Sequence, residues 1–356
     1  MMNILIDNII FSLQKSGGIS VVFYELLRRL QQETHISLKY VDNNAKNNFF
    51  RKRLDIPDSK IVYHDIIPRL SSYFPLHIKN KERFIFHSSY YRYCCNKNAI
   101  NVTTVHDFTY EYFRSGLKRN LHSFQKNIAI RHSDYIVCIS ENTKKDLLKF
   151  VPEIDENKIR VIYNGVSPEY FVLKSINPSD VPFQPKTFVV FVGNHYPHKN
   201  FDIVKKTISK TNLNLLVVGH KFSLEEEKDM LKYLPKSRFI SLGYVSNKHL
   251  NIIYNSAKAL VYPSSYEGFG IPVIEAQKAG CPVIALKSSS IPEVIGNTPL
   301  LMDVLTETEL ISKLELLNNE VLIKEVINDG LLNATRFSWE KMFDDYMDLY
   351  TEAYSK

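Results

Sequence analysis

Residues 262–280 have the sequence YPSSYEGFGIPVIEAQKAG. The paired glycines and the apolar residues after them predict a loop that leads into a helix, with Glu267 in the loop and Glu275 in the first helical turn. Glycines at a helix start let a ligand approach backbone N–H groups, which together with the helix dipole favour an anion. Two carboxylates beside that point can accept hydrogen bonds from sugar hydroxyls. The stretch therefore predicts a site that holds a phosphate and a sugar together.

A simpler interpretation of the same residues stays open at this point. Glu275 could act only as an acid that stabilises a helix N-terminus, and Glu267 as a solvated loop residue. The glycines would then do no more than form a turn. Either glutamate taken alone favours this simpler interpretation. The rest of the sequence is therefore needed to choose between it and a ligand site.

Short runs of β-branched and aromatic residues alternate with helical patterns on both sides of this stretch. The predicted strands cover residues 4–7, 36–41, 84–87, 100–105, 135–139 and 159–163, and then 187–192, 213–218, 238–241, 259–262 and 282–286. Alternation of this kind is typical of α/β folds with parallel sheets. The first helix is expected after Gly17-Gly18, with an apolar face formed by Ile19, Val22, Phe23, Leu26, Leu27 and Leu30.

The length of 356 residues predicts two domains, because one hydrophobic core seldom serves so long a chain. The first is expected over residues 1–170 and the second over 187–337, joined by a proline-containing linker at 171–186. Residues 338–356 predict a helix with an aromatic face that packs back on the first domain. That face consists of Trp339, Met342, Phe343, Tyr346 and Tyr350.

The composition narrows the class of protein. A hydrophobic share of 44%, with 12 Gly and 15 Pro, excludes collagen-like and largely disordered chains. Four cysteines without a CxxC pair, and no secretory leader or membrane-spanning run, predict a cytoplasmic protein. The net charge is +7, with basic residues grouped at 51–53, 79–83 and 114–131. These groups indicate either an ordinary solvated surface or contact with an anionic membrane, and they match no nucleic-acid-binding motif.

The segment Glu267, Gly268, Phe269, Gly270 and Glu275 resembles the signature of the retaining glycosyltransferases of family four, which have the GT-B fold. The resemblance implies an α/β protein of two facing Rossmann-like domains, with the acceptor on the N-terminal side and the nucleotide-sugar donor bound by the C-terminal domain. It also implies that Glu267 orients the donor sugar and that Glu275 binds the ribose.

Other positions extend this resemblance over nearly the whole chain. The stretch FVGNHYPHKN at 191–200 is similar to the family's phosphate loop, so Lys199 is expected to bind the donor diphosphate. Asn194 stands where the family often has an arginine, and His195 is a candidate to help Lys199 neutralise the donor phosphate. In similar enzymes the histidine at the position of His106 faces the donor sugar. Gly18 has no side chain and is expected to let a phosphate or the acceptor approach the backbone. Val245 lies in the segment that, in the family, contacts the nucleotide base.

The resemblance implies a metal-independent hexosyltransferase without a cofactor besides its donor. The departing phosphate would assist deprotonation of the acceptor hydroxyl during attack on the same face of the sugar. The phosphate loop looks like that of bacterial mannosyltransferases, which favours GDP-mannose as the donor and a saccharide acceptor, lipid-linked, in O-antigen or capsule synthesis on the inner face of the cytoplasmic membrane. Three alternatives remain, namely a UDP- or dTDP-sugar donor, a nucleotide-sugar epimerase, and a non-catalytic sugar-binding protein.

Overall fold

A computed structural model of the chain describes residues 1–43, 45, 47–64 and 68–356. The chain forms two compact units, one of Met1–Gly165 with Trp339–Lys356 and one of Val166–Ser338. The stretch expected to be a linker, 171–186, lies in the second unit. There the backbone N–H groups of Phe171 and Leu173 donate to the side-chain oxygens of Asn251 and Asn255, at 3.0 and 2.8 Å. These amide side chains fix the start of the stretch to one helix of that unit.

The first unit is built on a seven-stranded sheet in which neighbouring strands are parallel. Its strands are β1 (Met2–Asp7), β2 (Ile36–Asp42), β3 (Ile61–His64), β4 (Phe84–Ser88), β5 (Ala99–Val105), β6 (Tyr135–Cys138) and β7 (Ile159–Val161). Its helices up to the second unit are α1 (Ile10–Leu13), α2 (Gly18–Leu30), α3 (Pro68–Ser71), α4 (Thr109–Phe113), α5 (Gly116–Arg131) and α6 (Glu141–Phe150). The strand order is β3-β2-β1-β4-β5-β6-β7.

Helix α2 shows how the apolar pattern positions these elements. Val22, Phe23, Leu26, Leu27 and Leu30 are buried as expected, because their spacing puts them on one helical face. One detail differs from the sequence prediction, since Ile19 is only partly buried. Arg29, for which nothing was predicted, is buried and forms ion pairs with Glu25 and Glu340.

The second unit repeats the architecture with a six-stranded parallel sheet in the order β10-β9-β8-β11-β12-β13. Its strands are β8 (Phe188–Gly193), β9 (Asn214–Gly219), β10 (Phe239–Gly243), β11 (Ala259–Tyr262), β12 (Val283–Leu286) and β13 (Leu301–Met302). Its helices are α7 (Phe201–Ser209), α8 (Leu224–Met230), α9 (Asn247–Ser256), α10 (Ile271–Lys278), α11 (Ile291–Ile295), α12 (Glu307–Leu316) and α13 (Glu320–Ala334). The prediction of an α/β protein with two parallel sheets is confirmed.

The last helix, α14 (Trp339–Ser355), belongs to the first unit, as its aromatic face predicted. The Tyr350 hydroxyl lies 2.6 Å from Nδ1 of His87 in β4, and the Tyr346 hydroxyl lies 2.9 Å from the hydroxyl of Thr104 in β5. Nε2 of His87 is 2.9 Å from the same Thr104 oxygen. Burial lowers the pKa of His87 to about 3, so the ring is neutral and acts as a hydrogen-bonding link between strand and helix.

The strand order marks where ligands bind in each sheet. The order reverses between β1 and β4 in the first unit and between β8 and β11 in the second. In open α/β sheets the loops at such a point diverge and leave a crevice at the carboxyl ends of the strands. Among the described residues, no helix is long and apolar enough to cross a membrane.

Candidate active site

Two loops meet at the switch point of the second unit, one after β8 and one after β11. Asn200 holds them together, since its side-chain amide donates to the Pro263 carbonyl at 2.7 Å and to the Ser265 hydroxyl at 2.6 Å. The Ser265 N–H donates back to the His198 carbonyl at 2.8 Å. Asn200 has the left-handed conformation that asparagine tolerates well, with φ 54°. This clamp sets the position of the preceding residue, Lys199.

Lys199 and Glu267 form the central ion pair of this crevice, in which Nζ of the lysine donates to Oε1 of the glutamate. Their side chains are 16% and 12% exposed, so the pair is largely sheltered but still reachable from solvent. The ammonium group also lies 5.4 Å from the ring centroid of Tyr262, the last residue of β11. A cation and a carboxylate are therefore held side by side where an incoming ligand can exchange partners with them.

A run of serines after β12 supports the loop that carries Glu267. The Glu267 N–H donates to the Ser289 hydroxyl at 2.8 Å. The Ser290 hydroxyl lies 2.9 Å from the carbonyl oxygens of both Glu267 and Phe269, and its single proton can be shared between them. The Ser288 hydroxyl donates to the Ser265 carbonyl. Sequence reasoning gave these serines no positioning role, although the uninterrupted Ser288-Ser289-Ser290 at a strand end was an available signal.

Gly270 forms the transition from this loop into α10. Its φ of 105° is one that residues with a side chain rarely adopt, and a Cβ there would lie 2.9 Å from Cδ1 of Ile291. Phe269 is buried with its ring edge-on to Phe337, at a centroid distance of 5.6 Å. Its side chain therefore anchors the loop, and any ligand contact at Phe269 or the adjacent Gly268 falls to the backbone.

Glu275 lies in the second turn of α10, not in the first turn as expected. The reason is that the helix begins at Ile271, directly after Gly270, which makes Glu275 its fifth residue. The carboxylate accepts a hydrogen bond from the Tyr254 hydroxyl at 3.3 Å, and the nearby Tyr170 hydroxyl also favours its ionised form. Burial raises the pKa of Glu275 to about 7, against a smaller opposing effect of the two hydroxyls.

Asn194 and Val245 lie on the loops that follow β8 and β10. The Tyr244 hydroxyl donates to Oδ1 of Asn194 at 3.4 Å, which brings these two loops together beside Val245. His195 makes other contacts. Its Nδ1 is 2.8 Å from Oε1 of Glu226, and its ring packs among aromatic residues, 4.8 Å from the Phe201 centroid and 5.0 Å from that of Phe222.

His106 and Gly18 belong to the first unit. His106 follows β5, is buried, and has no hydrogen-bond partner for its Nε2 in the described part of the chain. Burial lowers the pKa of His106 to about 4, so its ring is neutral at neutral pH. The neighbouring Asp107 accepts from the Thr109 N–H at 2.8 Å, a capping contact. Gly18 begins α2, and a Cβ there would meet open space.

Several charged residues of the first unit form buried pairs that the sequence reasoning missed. At the β1–β4 switch point, Nε of Arg92 donates to Asp7 at 2.8 Å, and both side chains are buried. Asp7 inside an apolar strand was the available signal, since a buried carboxylate needs a cation. Arg51 pairs with buried Asp42 at 2.8 Å. Arg51 is therefore not part of the solvated or membrane-facing basic surface expected at 51–53.

Comparison with known families identifies the protein class. The family model of the glycosyl transferases group 1 matches residues 174–350, and that of glycosyltransferase family 4 matches residues 16–170. The chain belongs to glycosyltransferase family 4. This family 4 member is 30% identical over 202 residues to the O-antigen chain mannosyltransferase RfbU of Salmonella typhimurium, covering 55% of each chain. It is 30% identical over 227 residues to an uncharacterized glycosyltransferase of Methanocaldococcus jannaschii, covering 63% of this chain and 61% of that one.

The chain thus spans 55% and 61% of the length of these two curated relatives. Solved structures extend the comparison to the whole fold. Sucrose-phosphate synthase from Thermosynechococcus elongatus has a TM-score of 0.76 at 16% identity, with 100% of both chains covered. A glycosyltransferase from Rickettsia africae has a TM-score of 0.72 at 18% identity, covering 99% of this chain and 98% of that one. The expectation of a GT-B fold is confirmed.

Proposed function

We propose that this protein is a retaining hexosyltransferase that uses a nucleotide-diphosphate sugar as its donor. The observation that carries the proposal is the Lys199–Glu267 pair at the carboxyl ends of β8 and β11, with Glu275 on the helix that follows. The lysine suits a diphosphate, Glu267 suits sugar hydroxyls, and Glu275 suits a ribose. One crevice in the second unit thereby offers a group for each part of such a donor.

Donor binding would exchange the partners of the ion pair. A diphosphate carries more negative charge than one carboxylate, so the Lys199 ammonium transfers from Glu267 to the phosphate oxygens. Glu267 then has free lone pairs for the hydroxyls of the donor sugar. During transfer the same ammonium stabilises the negative charge that develops on the leaving diphosphate, which is where such stabilisation accelerates a reaction. Glu275 accepts hydrogen bonds from the ribose hydroxyls.

The chemical step needs no protein nucleophile. The acceptor hydroxyl oxygen forms a bond to the anomeric carbon on the face from which the phosphate oxygen departs, and the hydroxyl proton passes to that phosphate oxygen. This sequence retains the anomeric configuration. We assign His106 to orient the donor sugar, because a neutral imidazole offers one N–H donor and one acceptor lone pair. Lys199 and backbone amides neutralise the diphosphate, so we propose no metal requirement.

We propose GDP-mannose as the donor and a lipid-linked saccharide of O-antigen or capsule synthesis as the acceptor. Support comes from the names of relatives, which include RfbU and, at 24% identity over 294 residues, the serotype-specific mannosyltransferase WbdA of Escherichia coli. This alignment covers 78% of the present chain and 31% of WbdA. A lipid-linked acceptor would place the protein at the inner face of the cytoplasmic membrane as a peripheral enzyme.

Thermal-shift measurements with UDP, GDP, dTDP, CMP and ADP test the donor class, because a ligand that binds only the folded state raises its stability. We expect GDP to stabilise the protein most, and Glu275→Ala to remove the shift. Incubation with GDP-mannose and an alkyl mannoside, with and without chelator, tests transfer. We expect a product whose NMR coupling shows retention. Conversion of the donor without acceptor would indicate an epimerase, and nucleotide binding without any turnover would indicate a sugar-binding protein.

The matched variants for this assay are Lys199→Met and Lys324→Met. Lys324 is an exposed lysine on α13 and serves as the control. Transfer at the normal rate by the Lys199 variant would remove that residue from the site.

A further inference from the structure

Helix α5 of the first unit exposes one apolar face, although the side that faces the protein buries both polar and apolar residues. Leu117, Leu121 and Phe124 are 82%, 44% and 63% exposed, although their spacing puts them on one helical face. The residues that face the protein include polar Gln125 and charged Lys126. Folding normally buries the apolar face of an amphipathic helix, so the outward direction of this face indicates a second environment for it.

Buried polar bonds fix the rotation of α5 about its axis. The Lys126 ammonium pairs with Glu111 of α4 at 2.7 Å and lies 3.8 Å from the ring centroid of Phe108. The Gln125 side chain donates to the Ser72 carbonyl at 2.6 Å. Turning the helix to bury Leu121 would break these bonds and leave buried polar groups unpaired, which is costly. The apolar face is therefore held outward.

A segment that is hydrogen-bonded to α5 also exposes apolar side chains. The Gln125–Ser72 bond joins α5 to the turn after α3, where further apolar side chains are exposed. We call the combined set the α5 surface, and it consists of Leu70, Tyr73, Phe74, Leu117, Leu121 and Phe124. Six exposed large apolar side chains on two linked segments call for an explanation that single exposed apolar residues do not need.

The segment that carries α5 contains charges of one sign. Residues 114–131 contain five basic residues and no acidic one. Lys126 is buried in its ion pair and so does not belong to the basic surface expected for the segment, whereas Arg131 is exposed at the end of the helix and pairs with exposed Glu153. Lys118 and Arg119 are exposed next to Leu117. Exposed cations beside exposed leucines are typical of helices that lie in a lipid interface.

We propose that the α5 surface docks the first unit on an anionic lipid bilayer. Leu117, Leu121 and Phe124 enter the boundary between headgroups and acyl chains, and Lys118 and Arg119 bind lipid phosphates. The charge disfavours a second copy of this chain as the occupant, because a two-fold interface would bring cations against cations. The proposal rests on the proposed function only for the lipid-linked acceptor that the membrane would supply, and it assigns the surface that makes the contact.

Co-sedimentation of the full chain with vesicles tests this surface without donor or acceptor, so its result is independent of the transfer assay. We expect binding to phosphatidylglycerol–phosphatidylcholine vesicles that weakens with salt, and little binding to phosphatidylcholine alone. Lys118→Gln with Arg119→Gln should reduce the partition coefficient roughly 30-fold, from about fivefold per charge. Leu117→Ser with Phe124→Ser should reduce it by about tenfold or more. The control Leu332→Ser alters an exposed leucine on α13 and should leave binding unchanged.

A fluorescence variant reports which face inserts. Trp339 is the only tryptophan of the chain and is buried, so it gives a constant background. The emission of Phe124→Trp should shift to the blue when anionic vesicles are added. No vesicle binding, or binding without this shift, would overturn the proposal. So would a dimer in solution that Phe124→Ser dissociates while vesicles have no effect.

Discussion

Replacing Glu275 by glutamine should change how the stability of the second unit depends on pH. The folded-state pKa of about 7 lies above the ordinary value of 4.5, so the folded protein holds this proton more tightly than the unfolded chain does. The proton's contribution to the free energy of unfolding is fully present below about pH 4.5 and is lost as the pH rises through about 7. The difference between the folded and unfolded pKa values corresponds to a loss of at most about 3 kcal/mol in the free energy of unfolding near pH 8.

Glutamine stays neutral at every pH and still accepts hydrogen bonds from the tyrosine hydroxyls. Glu275→Gln should therefore gain stability relative to the wild type as pH rises from about 5 to 8, by up to about 6–12 °C in the melting temperature of a unit of this size. Calorimetry without nucleotide, across this pH range, measures the difference. The control Glu325→Gln changes an exposed glutamate on α13 and should show no such trend. A constant difference between Glu275→Gln and the wild type at all pH values would refute the reasoning.

The proposed ribose contact adds a second expectation for the same variant. Ribose hydroxyls would donate to the ionised carboxylate, so nucleotide binding should release a proton and tighten as pH rises from about 6 to 8. The affinity of Glu275→Gln should be weaker and independent of pH. Isothermal titration in buffers with different ionisation enthalpies measures the released proton directly.

Four further variants test other contacts. Lys199→Met should lower kcat by about 10²–10³-fold, because the departing diphosphate loses its cation. Glu267→Gln should reduce transfer while the melting temperature stays near that of the wild type. Steady-state kinetics measure both effects, and a normal transfer rate in either variant would contradict the role given to that residue. Gly270→Ala should cost about 1–3 kcal/mol in the free energy of urea unfolding, because its φ is positive and Ile291 occupies the Cβ position. Tyr350→Phe should cost about 1–3 kcal/mol in the same measurement, since it leaves the buried His87 nitrogen unpaired.

The sequence predicts the fold well because its strongest signals are local. Most strand positions follow from β-branched and aromatic runs, although the short strands β3 and β13 were not predicted. The packing of α14 follows from its aromatic stripe, which needs a surface to cover. The prediction of α2 was wrong only for Ile19, which is partly buried. The burial of Arg29 was not predicted. Arg29 pairs with Glu25 four positions away and with Glu340 more than 300 positions away, and no local pattern reveals the second partner.

In the candidate site, too, some features follow from local sequence signals and others depend on contacts between distant segments. The positions of Glu267 and Lys199 near one another follow from two loops at the carboxyl ends of adjacent parallel strands. The environment of Glu275 does not follow, because it depends on Tyr170 and Tyr254 from two other segments. The basic segments show the same limit. Composition shows that Arg51 is basic, but only the three-dimensional contact with Asp42 removes it from the surface.

The position of α14 has a consequence for synthesis of the protein. The first unit is completed by a helix that the ribosome makes only after residues 166–338. At usual elongation rates that interval lasts roughly 10–35 s. During this time the sheet of the first unit lacks the cover of Tyr346 and Tyr350, and the apolar surface around β4 and β5 is open to chaperones or to other nascent chains. The first unit therefore lacks α14 until translation is nearly finished. Slower translation of the second unit would lengthen the time for which the apolar surface around β4 and β5 stays exposed.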